Sequence, residues 1–481
     1  MFDLRPAGYV IGLLVMILGM TMVVPMALDW VDGDANWVAF AFSAFTSIMI
    51  GGGIALACQN RVEGLNIHQT FFLSTGVWLV LPLFGAIPFM VGATDARFVD
   101  AFFEAMSGMT TTGSTVFSDL ETLPRGILLW RGLMQWFGGI GVVVVAMVFL
   151  PVLRIGGMQI FRTEGFDTFG KILPRAAEIS RSISSIYVTL TVLCIVAYSM
   201  AGMGLFDAVV HAMTTIATGG FSNYDTSFAD MGAATEYVAV VFMILAALPF
   251  VRYVQMMGGS FKAIFADPQV RGFIVTIVVV VFVLVLWQIG FVTNSPEMAL
   301  RKAAFNGVSI LTGTGYASSN YMLWGSFPIT FFFLIGLIGG CAGSTTCSIK
   351  IFRFQLLFAS VSAQIKRIHS PNGIFQPRYN HRTVSEDVIS SVMAFFVLFM
   401  VTLAFLAVAL GLTGLDAVTS ISGAAAALAN IGPGLGPEIG PAANYAGLND
   451  IAKWLLSAGM LIGRLELMAV YVLLTATFWR G

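Results

Sequence analysis

Long apolar stretches alternate with short ones along this chain. Ten are long enough to cross a hydrocarbon core of about 30 Å as helices: 9–28, 37–58, 70–92, 127–152, 183–205, 237–257, 272–293, 327–349, 388–413 and 453–479. Four shorter ones cover 99–112, 207–218, 299–312 and 416–430. Each of these makes roughly 18–22 Å of helix, the length of a re-entrant half-helix rather than of a span. From residue 70 onward the order is long, short, long, four times over, an internal repeat of roughly 100 residues. The short segments open alike, at Asp100-Ala101, Asp207-Ala208, Lys302-Ala303 and Asp416-Ala417. Each closes on a small strip: Thr111-Thr112-Gly113, Thr218-Gly219-Gly220, Gly313-Thr314-Gly315 and Asn430-Ile431-Gly432. The first three final glycines lie 13 residues after the opening residue and the fourth lies 16 after it, so the fourth half-helix is expected to be about one turn longer.

Composition sets the class. Of 481 residues, 58% are hydrophobic and 10% charged, against about 25% charged in soluble domains, and the mean hydropathy is +0.88. This is the profile of a polytopic, all-α membrane protein. A formal net charge of −1 gives no reason to expect nucleic acid as a partner. The four cysteines form no Cys-x-x-Cys pair and are expected to be small packing residues rather than a zinc site or disulfide framework. The apolar stretch after Arg5 is too long for a signal-peptide core and lacks a cleavage site, so it reads as an uncleaved first span.

Charge then orients the spans. With the N-terminus in the cytoplasm, 17 of the 24 Lys and Arg fall on the cytoplasmic side. Six fall outside (Arg97, Arg125, Arg131, Arg301, Lys302 and Lys453), and Arg464 is left within a span. That is the usual inside-positive bias, and both termini then lie inside. Each long–short–long unit crosses twice and returns, so all four units share one orientation. Such units arrange around an axis along the membrane normal, unlike the inverted repeats of many rocking transporters. The half-helices would enter from outside and point partially negative C-termini at that axis. Carbonyls of the glycine strips could there replace a cation's hydration shell. One such strip alone reads more simply as close helix packing; four in register favour a cation pore with these strips as its ligands.

Other residues stand out. GGCAGSTTCSIK (339–350) interrupts the span 327–349 with Gly339, Gly340 and Gly343, followed by Ser344 and Thr345. A helix loses about 1 kcal/mol per glycine, so this stretch is expected to unwind, as a gate or as a tight helix crossing. Arg464 lies near the middle of the last span, where a charge normally faces the bundle interior or water. It either projects into the pore or pairs with a carboxylate elsewhere; Glu466 should face another way. His211 reads as a structural histidine. Glu104 could tune the outer mouth or bond nearby backbone amides. The basic loops 153–182 and 350–382 read as solvated. No nucleophile–base or metal-ligand constellation in the spans suggests an enzyme, and four intact strips argue against a sensor with a degenerate pore.

These stretches together resemble the Trk/Ktr/HKT superfamily of potassium transporters, closest to the TrkH-type subunit of Trk uptake systems. The carrying motifs are MTTTGSTV (109–116), LLWRGLMQWFGGIG (128–141), TIATGGFSNYD (215–225), LTGTGYAS (311–318), GGCAGSTTCSIK, ANIGPGLG (429–436) and GRLELM (463–468). The resemblance implies a two-helix extension (1–68) and four membrane–pore–membrane repeats (69–155, 156–262, 263–358 and 359–481) with pseudo-fourfold symmetry around one pore. Its filter glycines fall on Gly113, Gly220, Gly315 and Gly432, a set that fits K⁺, whereas Ser in the first repeat goes with Na⁺. It places a gating loop at 339–350 and a pore arginine at Arg464. It implies a bacterial inner-membrane homodimer surrounded by lipid, with a cytoplasmic nucleotide-binding ring of the TrkA type as partner. The ring docks on the basic loops, and nucleotide belongs to the ring, so the chain itself needs no cofactor beyond the K⁺ it moves. A Na⁺-conducting protein, or a symporter coupled to Na⁺ or H⁺, is the alternative within the same fold.

Overall fold

The computed structural model describes residues 3–59, 66–148, 157–158, 172–260, 262–380 and 382–480. The chain starts with α1 (Arg5–Thr21), α2 (Val23–Asp32) and α3 (Trp37–Ala57). Next come α4 (Ile67–Gly85), α5 (Ile87–Val91), the short α6 (Phe98–Met109) and α7 (Arg125–Val148). Then follow α8 (Ile172–Met200), the short α9 (Leu205–Ile216), α10 (Ala233–Ala246), α11 (Phe250–Met257) and α12 (Lys262–Ala266). After them come α13 (Pro268–Phe291), α14 (Pro296–Leu311), α15 (Ser326–Gly336) and α16 (Ile351–His369). The last group is α17 (Glu386–Leu412), the short α18 (Ala417–Ala429), α19 (Asp450–Arg464), α20 (Met468–Leu474) and α21 (Ala476–Arg480). A two-residue antiparallel pair, β1 (Arg378–Tyr379) and β2 (Arg382–Thr383), lies between α16 and α17.

Local sequence explains the helix starts. Asn66 and Gln69 form a capping box on α4. Asp267 caps α13 and Ser295 caps α14, each with proline in the first turn. Asp416 accepts from the amides of Val418 and Thr419 at the head of α18. Gly12 of α1 and Gly51 of α3 leave no room for a side chain between the two backbones, the small-residue contact that lets membrane helices approach closely.

Among the described residues, seven helical stretches are long and apolar enough to cross a membrane, and two bent pairs bring the number to nine. These nine match nine of the expected spans, two of them bent. The stretch 237–257 bends by 87° between α10 and α11, where Pro249 cannot continue the helical ladder. The stretch 453–479 bends by 112° after Arg464. The tenth, 327–349, is helical only over Ser326–Gly336, and residues 337–350 are irregular. The expected loop 350–382 also holds a helix, α16. Residues 149–156 and 159–171, with most of the basic loop 153–182, lie outside the described residues.

The fourth half-helix is not the long one. Phe98 to Gly113, Leu205 to Gly220 and Ala417 to Gly432 are each 15 residues, while Pro296 to Gly315 is 19, so the extra turn belongs to α14. The sequence offset misled because Asp416 is a cap lying outside its helix, whereas Asp100 and Asp207 lie inside theirs.

The short helices pack in a closed order. Each touches the long helix before it: α6 on α4, α9 on α8, α14 on α13 and α18 on α17. Each also touches the helix that follows the previous short one: α9 on α7, α14 on α10, α18 on α15 and, closing the cycle, α6 on α19. α7 is the most enclosed long helix, with 72% of its apolar window buried against 28% in α13.

Candidate ion pathway

All four short helices end alike. The first residue of each strip is left-handed: Thr111 (φ 51°), Thr218 (50°), Gly313 (72°) and Asn430 (52°). Its N–H returns to the carbonyl three residues back, and the next N–H to the carbonyl five back. The pairs are Thr111 to Gly108 (3.0 Å) and Thr112 to Ser107 (2.9 Å), then Thr218 to Thr215 (3.0 Å) and Gly219 to Thr214 (2.8 Å). Gly313 to Ile310 (3.1 Å), Thr314 to Ser309 (2.8 Å), Asn430 to Ala427 (3.3 Å) and Ile431 to Ala426 (3.0 Å) complete the set. This is the Schellman pattern, which satisfies the helix's orphan carbonyls and turns the chain back. Glycine or asparagine is usual at that turn. Threonine pays roughly 1–2 kcal/mol there, so Thr111 and Thr218 are held by their surroundings.

Two residues on, each strip is left-handed again, at Gly113 (87°), Gly220 (78°), Gly315 (82°) and Gly432 (99°). A Cβ on Gly113 would overlap the Gly219 carbonyl oxygen, and one on Gly220 that of Thr314. One on Gly315 would overlap the Ile431 carbonyl oxygen, and one on Gly432 that of Thr112. The strips therefore touch in one closed ring, and glycine is required twice over, by conformation and by space. One cavity of about 230 Å³ meets all four glycines and is lined by Ser114, Ser222, Tyr224, Asp225 and Tyr445 among others. Burial and a bond to Asp207 push the Tyr224 phenol up to about 12, so it lines this vestibule as a neutral hydroxyl.

The ring is braced from behind. Gln135 of α7 donates to the Gly219 carbonyl (2.6 Å) and accepts from the Phe221 amide (3.1 Å). One turn away, Arg131 pairs with Glu104 (2.8 Å), donates to the Ser222 carbonyl (2.8 Å) and lies over the Phe221 ring. Glu104 also accepts from the Val116 amide (2.9 Å) and the Thr115 hydroxyl (3.0 Å), which decides its role: it bonds backbone behind the strip. The hydroxyls of Thr110 and Thr112 pair at 2.8 Å, as do those of Thr312 and Thr314. Asn430 Nδ2 donates to Thr112 Oγ1 (2.9 Å) and to the Met460 carbonyl (3.0 Å). Both ring nitrogens of buried His211 are bonded, to the Asp207 carbonyl (2.8 Å) and to Ser222 Oγ (3.1 Å), a structural part.

All six cations expected outside are paired with carboxylates. Arg97 pairs with Asp100 and Asp450, Arg125 with Asp32, and Arg131 with Glu104. Arg301 pairs with Glu236 and Glu297, Lys302 with Glu236, and Lys453 with Asp100. Arg131, expected outside, is buried behind the ring.

The irregular segment 337–350 contributes no residue to that cavity's lining. Gly339 (φ 72°), Gly343 (75°) and Ser348 (63°) are left-handed, and Gly340, Ser344 and Thr345 are buried. It fills the break between α10 and α11: Cys341 N–H donates to the Ala247 carbonyl (3.1 Å), Thr345 Oγ1 to that of Ala246 (3.1 Å), and the Phe250 amide to that of Gly343 (2.9 Å). Ser348 Oγ reaches the carbonyls of Gly336 (2.9 Å) and Ala429 (3.1 Å), the latter next to the fourth strip. Arg464 donates to the Gly138 carbonyl (2.8 Å), the Thr345 carbonyl (3.4 Å) and Cys347 Sγ (2.7 Å). It meets no carboxylate among the described residues. Glu466 instead sits in the break after α19 with φ 58° and pairs with Lys350 (3.6 Å) and Arg353.

The twelve strip residues thus come together, and the loop meets Arg464 through Thr345 and Cys347 rather than through its glycines. The sequence reading missed Gln135, the burial of Arg131, Tyr445, and the Lys350–Arg353–Glu466 cluster. The available signals were a lone amide in an apolar span, and opposite charges beside two helix breaks.

Known proteins give the same frame. Residues 35–479 match the family described as TrkH, cation transport protein. The chain is 41% identical over 482 residues to the Trk system potassium uptake protein TrkI of Halomonas elongata, covering 99% of this chain and 97% of that one. It is 35% identical to the Trk system potassium uptake protein TrkH of Escherichia coli K12, covering 99% of each. The crystal structure of the potassium transporter TrkH from Vibrio parahaemolyticus superposes with a TM-score of 0.92 at 33% identity, over 100% of both chains.

Proposed function

The chain belongs to the TrkH family of cation transport proteins, multi-pass transporters rather than enzymes, and from that premise we propose that it takes up K⁺ across the bacterial inner membrane through one single-chain pore. The observation that carries this reading is the closed ring of four strips opening on one vestibule. Four membrane–pore–membrane repeats, 69–155, 156–262, 263–358 and 359–481, surround the pore with pseudo-fourfold symmetry after the extension 1–68. Their cyclic packing supports this division. With both termini cytoplasmic, the vestibule faces outward and its neutralised cations do not repel an arriving ion. The inside-negative potential then supplies about 2.3 kcal/mol per charge per 100 mV.

The K⁺ ligands are backbone carbonyls drawn from the four strips Thr111–Gly113, Thr218–Gly220, Gly313–Gly315 and Asn430–Gly432. The segment around Gly339, Gly340, Gly343, Ser344 and Thr345, with Arg464, forms the gate beneath them: the guanidinium adds a positive charge that opposes leak until the loop moves. The functional unit is a homodimer in lipid, controlled by a TrkA-type nucleotide-binding ring on the cytoplasmic face.

The test is ⁸⁶Rb⁺ flux in proteoliposomes with the ring present, together with growth of uptake-deficient cells in low K⁺. Absence of both sinks the proposal, and flux requiring a Na⁺ or H⁺ gradient makes the protein a symporter. Gly113→Ser should lower K⁺/Na⁺ discrimination; unchanged selectivity would leave that strip a packing element.

A further inference from the structure

The four strips touch as a ring, yet their carbonyls are not equally free. Gly432's carbonyl oxygen accepts from Tyr445 Oη at 2.7 Å and from Ser114 Oγ at 2.8 Å. A carbonyl oxygen has two lone pairs, so these hydroxyls occupy both. The matching carbonyls of Gly113, Gly220 and Gly315 accept no hydrogen bond among the described residues. Both hydroxyl residues are nearly inaccessible, Tyr445 at 3% and Ser114 at 2%. Tyr445 is fixed in place: its amide donates to the Thr115 carbonyl (2.8 Å), and its ring packs on Phe103 with centroids 5.5 Å apart. The inner carbonyls differ. Gly219's accepts one bond, from Gln135, and keeps a lone pair.

We propose that Tyr445 and Ser114 remove the fourth carbonyl from the vestibule-side ion site, leaving three carbonyls from Gly113, Gly220 and Gly315, and so make Tyr445 a positioning residue that sets cation affinity at the mouth of the filter. The inference rests on the strips being the ion ligands. An ion at that level keeps water on its fourth side, so it is held weakly and passes on to the inner level, where all four strips present a lone pair. Conduction requires that kind of imbalance, since a site that binds too tightly does not release.

Purified full-length chain is titrated with K⁺, with choline holding ionic strength, and the half-saturating concentration is read from thermal stabilisation, which needs no regulatory partner. Uptake KM and maximal rate are measured in cells. Tyr445→Phe, Ser114→Ala and the double variant each free lone pairs on Gly432. The double variant should lower the half-saturating K⁺ and the uptake KM by about tenfold, the size expected for one exchanged hydrogen bond, and lower the maximal rate. Half-saturation that stays the same or rises, with poorer K⁺/Na⁺ discrimination, overturns the inference and makes the hydroxyls mere braces. Ser114→Ala alone gives the same sign of answer if Tyr445→Phe folds poorly. Gly220→Ser separates the two levels of the argument. If it leaves flux and selectivity intact, the filter assignment itself fails; if it abolishes flux or alters selectivity while the double variant binds K⁺ as before, only the three-carbonyl site fails.

Discussion

Two buried, irregular, glycine-bearing regions meet where Ser348 reaches the Ala429 carbonyl, and they are held in opposite ways. The ring of strips repeats one device four times: a Schellman turn, a left-handed residue, a left-handed glycine, and a carbonyl set against the next strip. No strip can shift without displacing its neighbours. The segment 337–350 has left-handed residues at 339, 343 and 348 with no period. Its partners are single groups from the α10–α11 break, from Gln269, from the end of α18 and from Arg464. Such a segment can leave by giving up bonds one at a time. Repetition makes a rigid ring; a set of unrelated contacts makes a segment whose bonds can be given up separately.

The largest effect should come from breaking the ring. Gly315→Ala puts a Cβ onto the Ile431 carbonyl and the Pro433 ring, at φ 82°. ⁸⁶Rb⁺ flux should fall to background while the protein still inserts and purifies as a monodisperse species. Gly339→Ala, whose Cβ would meet the Cys347 carbonyl, should change the amount of flux but leave K⁺/Na⁺ selectivity as it was. If the loop variant alters selectivity and the ring variant does not, the contrast between the two regions is wrong.

Next in size is the charge cluster that anchors the loop's far end. Glu466 lies between Lys350 and Arg353, all three nearly buried. Removing one partner of a buried ion pair costs about 3–5 kcal/mol, because the remaining charge is stranded. Glu466→Gln should therefore lower the unfolding midpoint markedly. A midpoint within a degree of the parent's would mean that water already solvates the cluster.

The ring was legible in the sequence and the loop was only partly so, for a physical reason. Four strips in register allow each to be read against the others, so the residues Thr111–Gly113 and their three counterparts were found from spacing alone. Only the helix lengths went astray, because an Asp cap outside α18 looks like an Asp inside α6. The segment 339–350 occurs once. Its glycines predict unwinding, but nothing in the sequence says what fills the space, and the basic stretch directly after it reads as a solvated loop where α16 stands. Pro249 did carry the signal for the α10–α11 break and was outweighed by the apolar run around it. Arg464 and Glu466 looked like residues of one helix. The chain bends between them, so one meets the Thr345 carbonyl and Cys347 Sγ of the loop and the other the cations of α16 and its cap. Tyr445 gives no pattern, and Gln135 only that of a lone amide in an apolar span, since their roles depend on strips distant in sequence.

Arg464 offers a gentler perturbation. Arg464→Ala removes a buried charge bonded to Gly138 and Thr345 without touching the ring. Flux should rise several-fold at an unchanged K⁺/Na⁺ ratio, read as ⁸⁶Rb⁺ leak without the regulatory partner. Equal leak would take Arg464 out of the conduction path.

The smallest effect tests where the two regions join. Ser348 belongs to the loop by sequence, but its hydroxyl reaches the Ala429 carbonyl at the foot of the fourth strip as well as that of Gly336. With φ 63° it also pays the left-handed penalty, about 1–2 kcal/mol for a residue with a Cβ. Ser348→Ala keeps the penalty and loses the bond, so it should be less stable than the parent by about 1 kcal/mol. Ser348→Gly loses the same bond but relieves the strain, and the extra freedom of glycine in the unfolded chain returns roughly 0.5–1 kcal/mol of that relief. Its stability should lie near the parent's and above that of the alanine variant. Alanine matching the parent would show that the hydroxyl carries nothing; glycine falling below alanine would show that the left-handed turn is unstrained. In both variants K⁺/Na⁺ selectivity should hold, because the fourth strip keeps its Schellman bonds and its place against Gly315 without help from the loop.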